Sequence, residues 1–125
     1  MISSLLLRVS VALLVLGMCL GIGMGITQNF ILAPAHAHLN LVGFVLPFLA
    51  GLYYRAVPEG GRGALATTQA WLAIIGGILF PVGIAAAVGL GQQYEVLAIV
   101  GSLVVFVAAL LFAVIVFRTS GARFA

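Results

Sequence analysis

The sequence predicts an all-α membrane protein, a four-helix transmembrane bundle. Three observations carry that expectation. Of 125 residues, 65% are hydrophobic and only 6% are charged, whereas a water-facing domain carries roughly 25% charged residues. The apolar residues fall into four runs, each near the ~20 residues a helix needs to cross a bilayer. No run alternates apolar and polar residues as membrane barrel strands do, and only helices or closed barrels satisfy the backbone in lipid.

The four spans are expected at 5–25, 30–57, 66–90 and 94–117. The connections are short: Ile26 to Asn29, Pro58 to Gly63, and Gly91 to Gln93. No soluble module fits between them, so residues 1–125 read as a single domain of antiparallel helices. The second span has two candidate starts. Asn29 would cap a helix beginning at Phe30, or Pro34 would mark a first turn near Ala35. Pro47 and Pro81 each remove a backbone donor and predict kinks. Gly17, Gly21 and Gly25 recur every four residues, as do Gly43, Pro47 and Gly51; Gly76, Gly77, Pro81 and Gly83 loosen the third span. Small residues at that spacing let helices approach closely in lipid.

Arginine placement predicts orientation. Arg8 precedes most of the first span, Arg55 and Arg62 flank the second connection, and Arg118 and Arg123 follow the fourth span. The first and third connections hold no Lys or Arg. The positive-inside rule therefore puts both termini in the cytoplasm. In a bacterial inner membrane, Gln28, Asn29, Gln92, Gln93, Tyr94 and Glu95 would then face the periplasm. Ala33-Pro34-Ala35 loosely imitates a signal-peptide cleavage site. The apolar run before it is long for such a peptide and lacks a basic start, so the first span is expected to stay.

Most other polar or sulfur-bearing residues have ordinary expected roles. Cys19 is a lone cysteine, expected as a buried inert thiol. Met18 and Met24 are expected to pack. Tyr53, Tyr54 and Trp71 read as anchors at the cytoplasmic interface, and Tyr94 at the opposite one. Arg55 is expected to snorkel, and Glu95 to be solvated or to cap the fourth helix. A net charge of +3 without a basic cluster does not suggest nucleic-acid binding. No Ser-His-Asp, Cys-His or paired-carboxylate set exists to support hydrolysis, so no catalytic residue is assigned.

One stretch stands apart: His36-Ala37-His38-Leu39-Asn40 holds the only two histidines. Ionisable residues within a membrane span mark a functional site by default. At 3.6 residues per turn, positions two apart point ~200° apart. His36 and His38 therefore face nearly opposite ways on a regular helix, suited to two cofactors rather than one ion. Imidazole is a common axial ligand of haem iron. A frayed helix end would instead let both rings reach one ion. Asn40 lies four residues after His36, on the same face; it serves either helix–helix hydrogen bonding or the orientation of His36.

The stretch from His36 to Phe44, continuing through Gly51-Leu52-Tyr53-Tyr54-Arg55, resembles a haem-ligating helix of the catalytic subunit of haem-copper oxidases and nitric oxide reductases. It is also similar to small four-span proteins described as oxidase-subunit-like. The specific part covers about twenty residues. The resemblance implies that His36 and His38 are ligands of haem b on opposite faces of one helix, with Asn40 beside them and Gly43 a close-packing position. It further implies that this chain corresponds to one of the three four-helix arcs of the large subunit. Three copies would supply twelve spans and six histidines. His36 of one protomer would meet His38 of the next across a shared haem, in a heterologous ring. A homotrimer is thus the favoured assembly, and a twofold dimer sharing one haem the next. The departures are also plain. This chain has no further histidine for the copper site of those oxidases and no outer arginine pair for haem propionates, so it is not a complete oxidase by itself.

Three function classes follow. The first is a membrane haem protein for electron transfer or diatomic-gas binding. The second is a copper or other metal-binding protein using His36, His38 and Met24, because thioethers favour Cu(I) and imidazoles suit copper. The third is a cofactor-free assembly or interaction protein of a respiratory complex.

Overall fold

The computed structural model describes residues 1–124, with side chains described through Gly121. The side chain of Arg123, which contributed to the expected orientation, lies outside the described residues. The chain is all-helical, with no strand among the described residues, and four helices are long and apolar enough to cross a membrane. They are α1 (Ile2–Thr27), α2 (Ala33–Ala56), α3 (Gly63–Gly89) and α4 (Glu95–Phe124).

Local chemistry sets each boundary. Gln28 closes α1 in the left-handed conformation (φ 54°), and its side-chain amide donates to the Gly25 carbonyl at 2.7 Å. Asn29 does not cap α2. Its Oδ1 instead accepts the Ile31 N–H at 3.2 Å within the connecting turn. The start near Pro34 is the one adopted, since proline needs no donor in a first helical turn. A 3₁₀ turn at Gln92–Tyr94 leads into α4, whose first residue is Glu95. A carboxylate there suits the positive end of the helix dipole.

One element of α2 is not signalled by the sequence pattern. Within α2, Leu39–Val45 form a π-helix, closed by the Leu46 N–H bonding to the Leu41 carbonyl. Pro47 follows immediately and cannot donate. The wider turn lets the chain reach a proline without the steric conflict it would meet in a tight α-helix. By contrast, α3 continues as one helix through Pro81.

The helices alternate in direction, and each packs mainly on the next in sequence. Among the described residues no substantial contact joins α1 to α4, so the four form an open row rather than a closed square. Glycines set the seams. A side chain on Gly77 would come within 2.6 Å of the Val42 carbonyl, and one on Gly83 would strike the backbone at Leu97 and Ala98. The main core lies at one end of the row. Leu6, Ala50, Tyr54, Ala66, Ala70, Ala73, Ile74, Ala108 and Ile115 form one buried cluster there. The start of α1, the second connection and α4 around Arg118 and Thr119 share that end. His36 and His38 lie toward the other.

The cluster corrects one expectation. Tyr54 is not an interface anchor: it is 3% exposed, and its hydroxyl donates to Gln69 Oε1 at 2.7 Å. Cys19 is likewise not buried but exposed.

Candidate functional site

The histidine end of α2 is built by three helices. Pro34 starts the helix, so His36 and His38 fall within its first two turns, ahead of the π segment. Their rings enter different seams. His36 lies against α1, its Nδ1 2.8 Å from the Gly17 carbonyl. A side chain on Gly21 would come within 2.9 Å of His36 Cε1, so the bare backbone of α1 makes room for the ring. His38 lies toward α3, its ring centroid 4.7 Å from that of Phe80. Both histidines are half-buried. The structure thus separates the two rings onto different neighbours.

The hydrogen bonds fix the chemistry of each ring. A carbonyl only accepts, so Nδ1 of His36 carries the proton and donates to Gly17. His38 does the same within its own helix, with Nδ1 2.7 Å from the Pro34 carbonyl. In a neutral imidazole the other nitrogen then holds the lone pair. Each histidine therefore carries its unprotonated nitrogen at Nε2. Metal-bound histidines commonly donate their second N–H to a carbonyl or carboxylate, which fixes the tautomer and orients the ring.

Asn40 sits beside His36, with Nδ2 3.5 Å from His36 Nε2. Its Oδ1 is buried and has no hydrogen-bond partner. That oxygen lies against the Cα of Gly17, where any side chain would collide with it. Gly43 lies one turn further along the π segment. It is buried, and a Cβ there would be 3.2 Å from the Gly77 carbonyl. Its surroundings are α1 and α3 rather than either imidazole. Met24 is 7% exposed on α1, three residues beyond Gly21. It borders a surface depression with Cys19 and Leu32. No group of three or more His, Cys, Asp or Glu side chains converges among the described residues.

A partly enclosed cavity lies elsewhere. It measures about 100 Å³ between α2, α3 and α4, lined by Val42, Pro47, Gln69, Ala73, Ala108 and Phe112 among others. Gln69, which the sequence reading passed over, is its buried polar group, bonding Tyr54 on one side and the Ala108 carbonyl at 3.5 Å on the other. Only its helical spacing from Ala66, Ala70 and Ala73 marked it as sharing a buried face.

No protein-family model matches the chain, and neither a curated protein nor a solved structure is detectably similar to it.

Proposed function

We propose that this is an integral membrane haem protein in which His36 and His38 are axial ligands of haem b, serving electron transfer or the binding of a diatomic gas. One observation carries the reading. Both histidines spend Nδ1–H on a backbone carbonyl and keep Nε2 as the lone-pair nitrogen, in opposed seams of one helix. Among the described residues, His38 Nε2 has no protein donor, and His36 Nε2 has only the displaceable Asn40 amide at 3.5 Å. The donor set fits haem: two neutral imidazoles, oriented by carbonyls. When bound, the haem would supply one-electron chemistry or, with one axial position open, a site for a gas. The chain's own residues hold and orient the rings and keep them among apolar helices.

The assembly belongs to the same proposal. The cavity between α2, α3 and α4 does not adjoin either histidine. The open row also leaves the outer faces of α1 and α4 without an intrachain partner. A second copy would close the site, so a homotrimer sharing haem between His36 and His38 of neighbours is favoured over a dimer. The arginine distribution supports cytoplasmic termini and periplasmic histidines in a bacterial inner membrane. A respiratory-chain protein is the partner class that fits such a carrier.

The test is a visible spectrum of detergent-purified protein, oxidised and then dithionite-reduced. Resolved α and β bands on reduction support two imidazoles on the iron. His36→Ala and His38→Ala should each lose or alter those bands while the helices remain folded. Unchanged haem content in both variants would sink the reading. A silent spectrum with bound copper would select the metal reading, which Met24 favours by lying on the face of α1 that carries Gly17 and Gly21. Silence in both, with co-purification of an oxidase, would select the assembly role.

A further inference from the structure

The two histidines are alike in tautomer but not in the state of their free nitrogens. The Nε2 of His38 sits on a half-buried ring whose one protein hydrogen bond runs through Nδ1. The Nε2 of His36 faces the Asn40 carboxamide at 3.5 Å. Because His36 donates from Nδ1, that contact must run from the Asn40 N–H to the imidazole lone pair. The amide orientation follows from this. Turned the other way, Oδ1 would face a second acceptor across the same gap.

That orientation leaves Oδ1 buried and unpartnered against Gly17. Buried polar atoms nearly always find a partner, and one that does not calls for a physical reason. The reason here is His36. Its lone pair holds the amide nitrogen, and the oxygen is left over. Gly17 serves both groups: its carbonyl takes the His36 proton, and its missing side chain leaves room for the Asn40 oxygen.

We infer that Asn40 is a positioning residue that withholds His36, so that the site is filled in order: His38 binds first, and His36 only after the Asn40 amide leaves its nitrogen. The inference rests on the haem reading for the identity of the ligand. The difference in availability between the two nitrogens does not depend on any cofactor. Displacing the amide frees an already poorly satisfied group, so the step is a modest barrier rather than a block. It also makes His36 the ligand most easily lost.

Diethyl pyrocarbonate tests this without haem, because it acylates the unprotonated imidazole nitrogen, and two histidines give two rates by mass spectrometry. The full-length protein in detergent should show His38 modified faster than His36. Asn40→Leu should raise the His36 rate about three- to tenfold, as expected for one lost neutral hydrogen bond, and leave His38 unchanged. Asn40→Ala does the same with less bulk against Gly17, should the leucine variant fail to fold. Equal rates in the parent protein, or an unmoved His36 rate in a folded Asn40 variant, would overturn the inference. A second readout is the ratio of six- to five-coordinate haem, which should rise in Asn40→Ala at limiting haem; a ratio that does not rise overturns it as well. If no haem binds at all, the haem reading fails while the acylation rates still decide the role of Asn40.

Discussion

The two ends of α2 treat polar groups in opposite ways. At the core end, Tyr54 bonds Gln69, Gln69 reaches the Ala108 carbonyl, and Tyr53 pairs with Thr119 at 2.6 Å. Phe112 fits edge-on between the two tyrosines, with centroids 5.6 and 6.0 Å away. At the histidine end, among the described residues, His38 Nε2 has no protein donor, His36 Nε2 has only the 3.5 Å contact from the Asn40 amide, and the Asn40 amide oxygen has no donor. Both ends lie in the same helix; the histidines face α1 and α3, whereas the tyrosines also reach α4 through Phe112 and Thr119. The contrast teaches that one helix can bury polar side chains at both ends and satisfy them to different degrees. Closed polar chains rigidify a fold.

The strongest way to break this comparison is to remove core at one end and watch the other. Leu6 is fully buried in the main cluster. Leu6→Ala should destabilise the protein by about 2–5 kcal/mol, the usual cost of a large-to-small change in a packed core. Unfolding in a graded series of denaturing detergent measures it. The fraction that remains folded should keep the spectrum of the parent protein. A lost spectrum at full helicity would mean that the two ends are not separable.

Tyr54→Phe is expected next in size. It leaves Gln69 Oε1 buried without its donor, at about 1–3 kcal/mol. Adding Gln69→Leu should recover much of that loss, because removing both partners of a buried bond can be nearly neutral. At the histidine end the order reverses. His36→Ala removes one hydrogen bond to Gly17 and should cost only about 0.5–1.5 kcal/mol in the cofactor-free protein, yet abolish or convert the haem signal. A large stability loss without any ligand effect would make His36 a structural residue.

How much of this was legible beforehand follows from what each feature depends on. The four helices follow from local hydropathy, which needs no partner. The opposed seams of His36 and His38 follow from helical geometry, and the structure places them against α1 and α3. What could not be read depends on register between helices. Tyr54 looks like an interface tyrosine until α3 brings Gln69 within reach. The start of α2 was ambiguous because Asn29 and Pro34 are both valid helix signals; the turn holding Asn29 Oδ1 on Ile31 decided it. Pro47 signalled an irregularity but not its form, since a kink and a π segment answer the same missing donor.

The smallest expected effect gives the sharpest discrimination. Gly17, Gly21 and Gly25 form one row in the sequence, yet the structure divides it. A Cβ on Gly25 would meet nothing within 4 Å, while one on Gly21 would press on His36 at 2.9 Å from Cε1. Gly25→Ala should therefore be neutral or stabilising by up to about 1 kcal/mol, since alanine exceeds glycine in helix propensity by that order. Gly21→Ala makes the same chemical change one turn away and gains the same propensity, but must displace an imidazole whose Nδ1 is held by the Gly17 carbonyl. It should shift the haem spectrum or lower its content while stability changes little. If both substitutions behave alike, α1 is only a lipid-facing span beside the histidines. If they differ as stated, α1 forms a wall of the site, and glycines along it are placed by the ring they face rather than by a need for close helix packing.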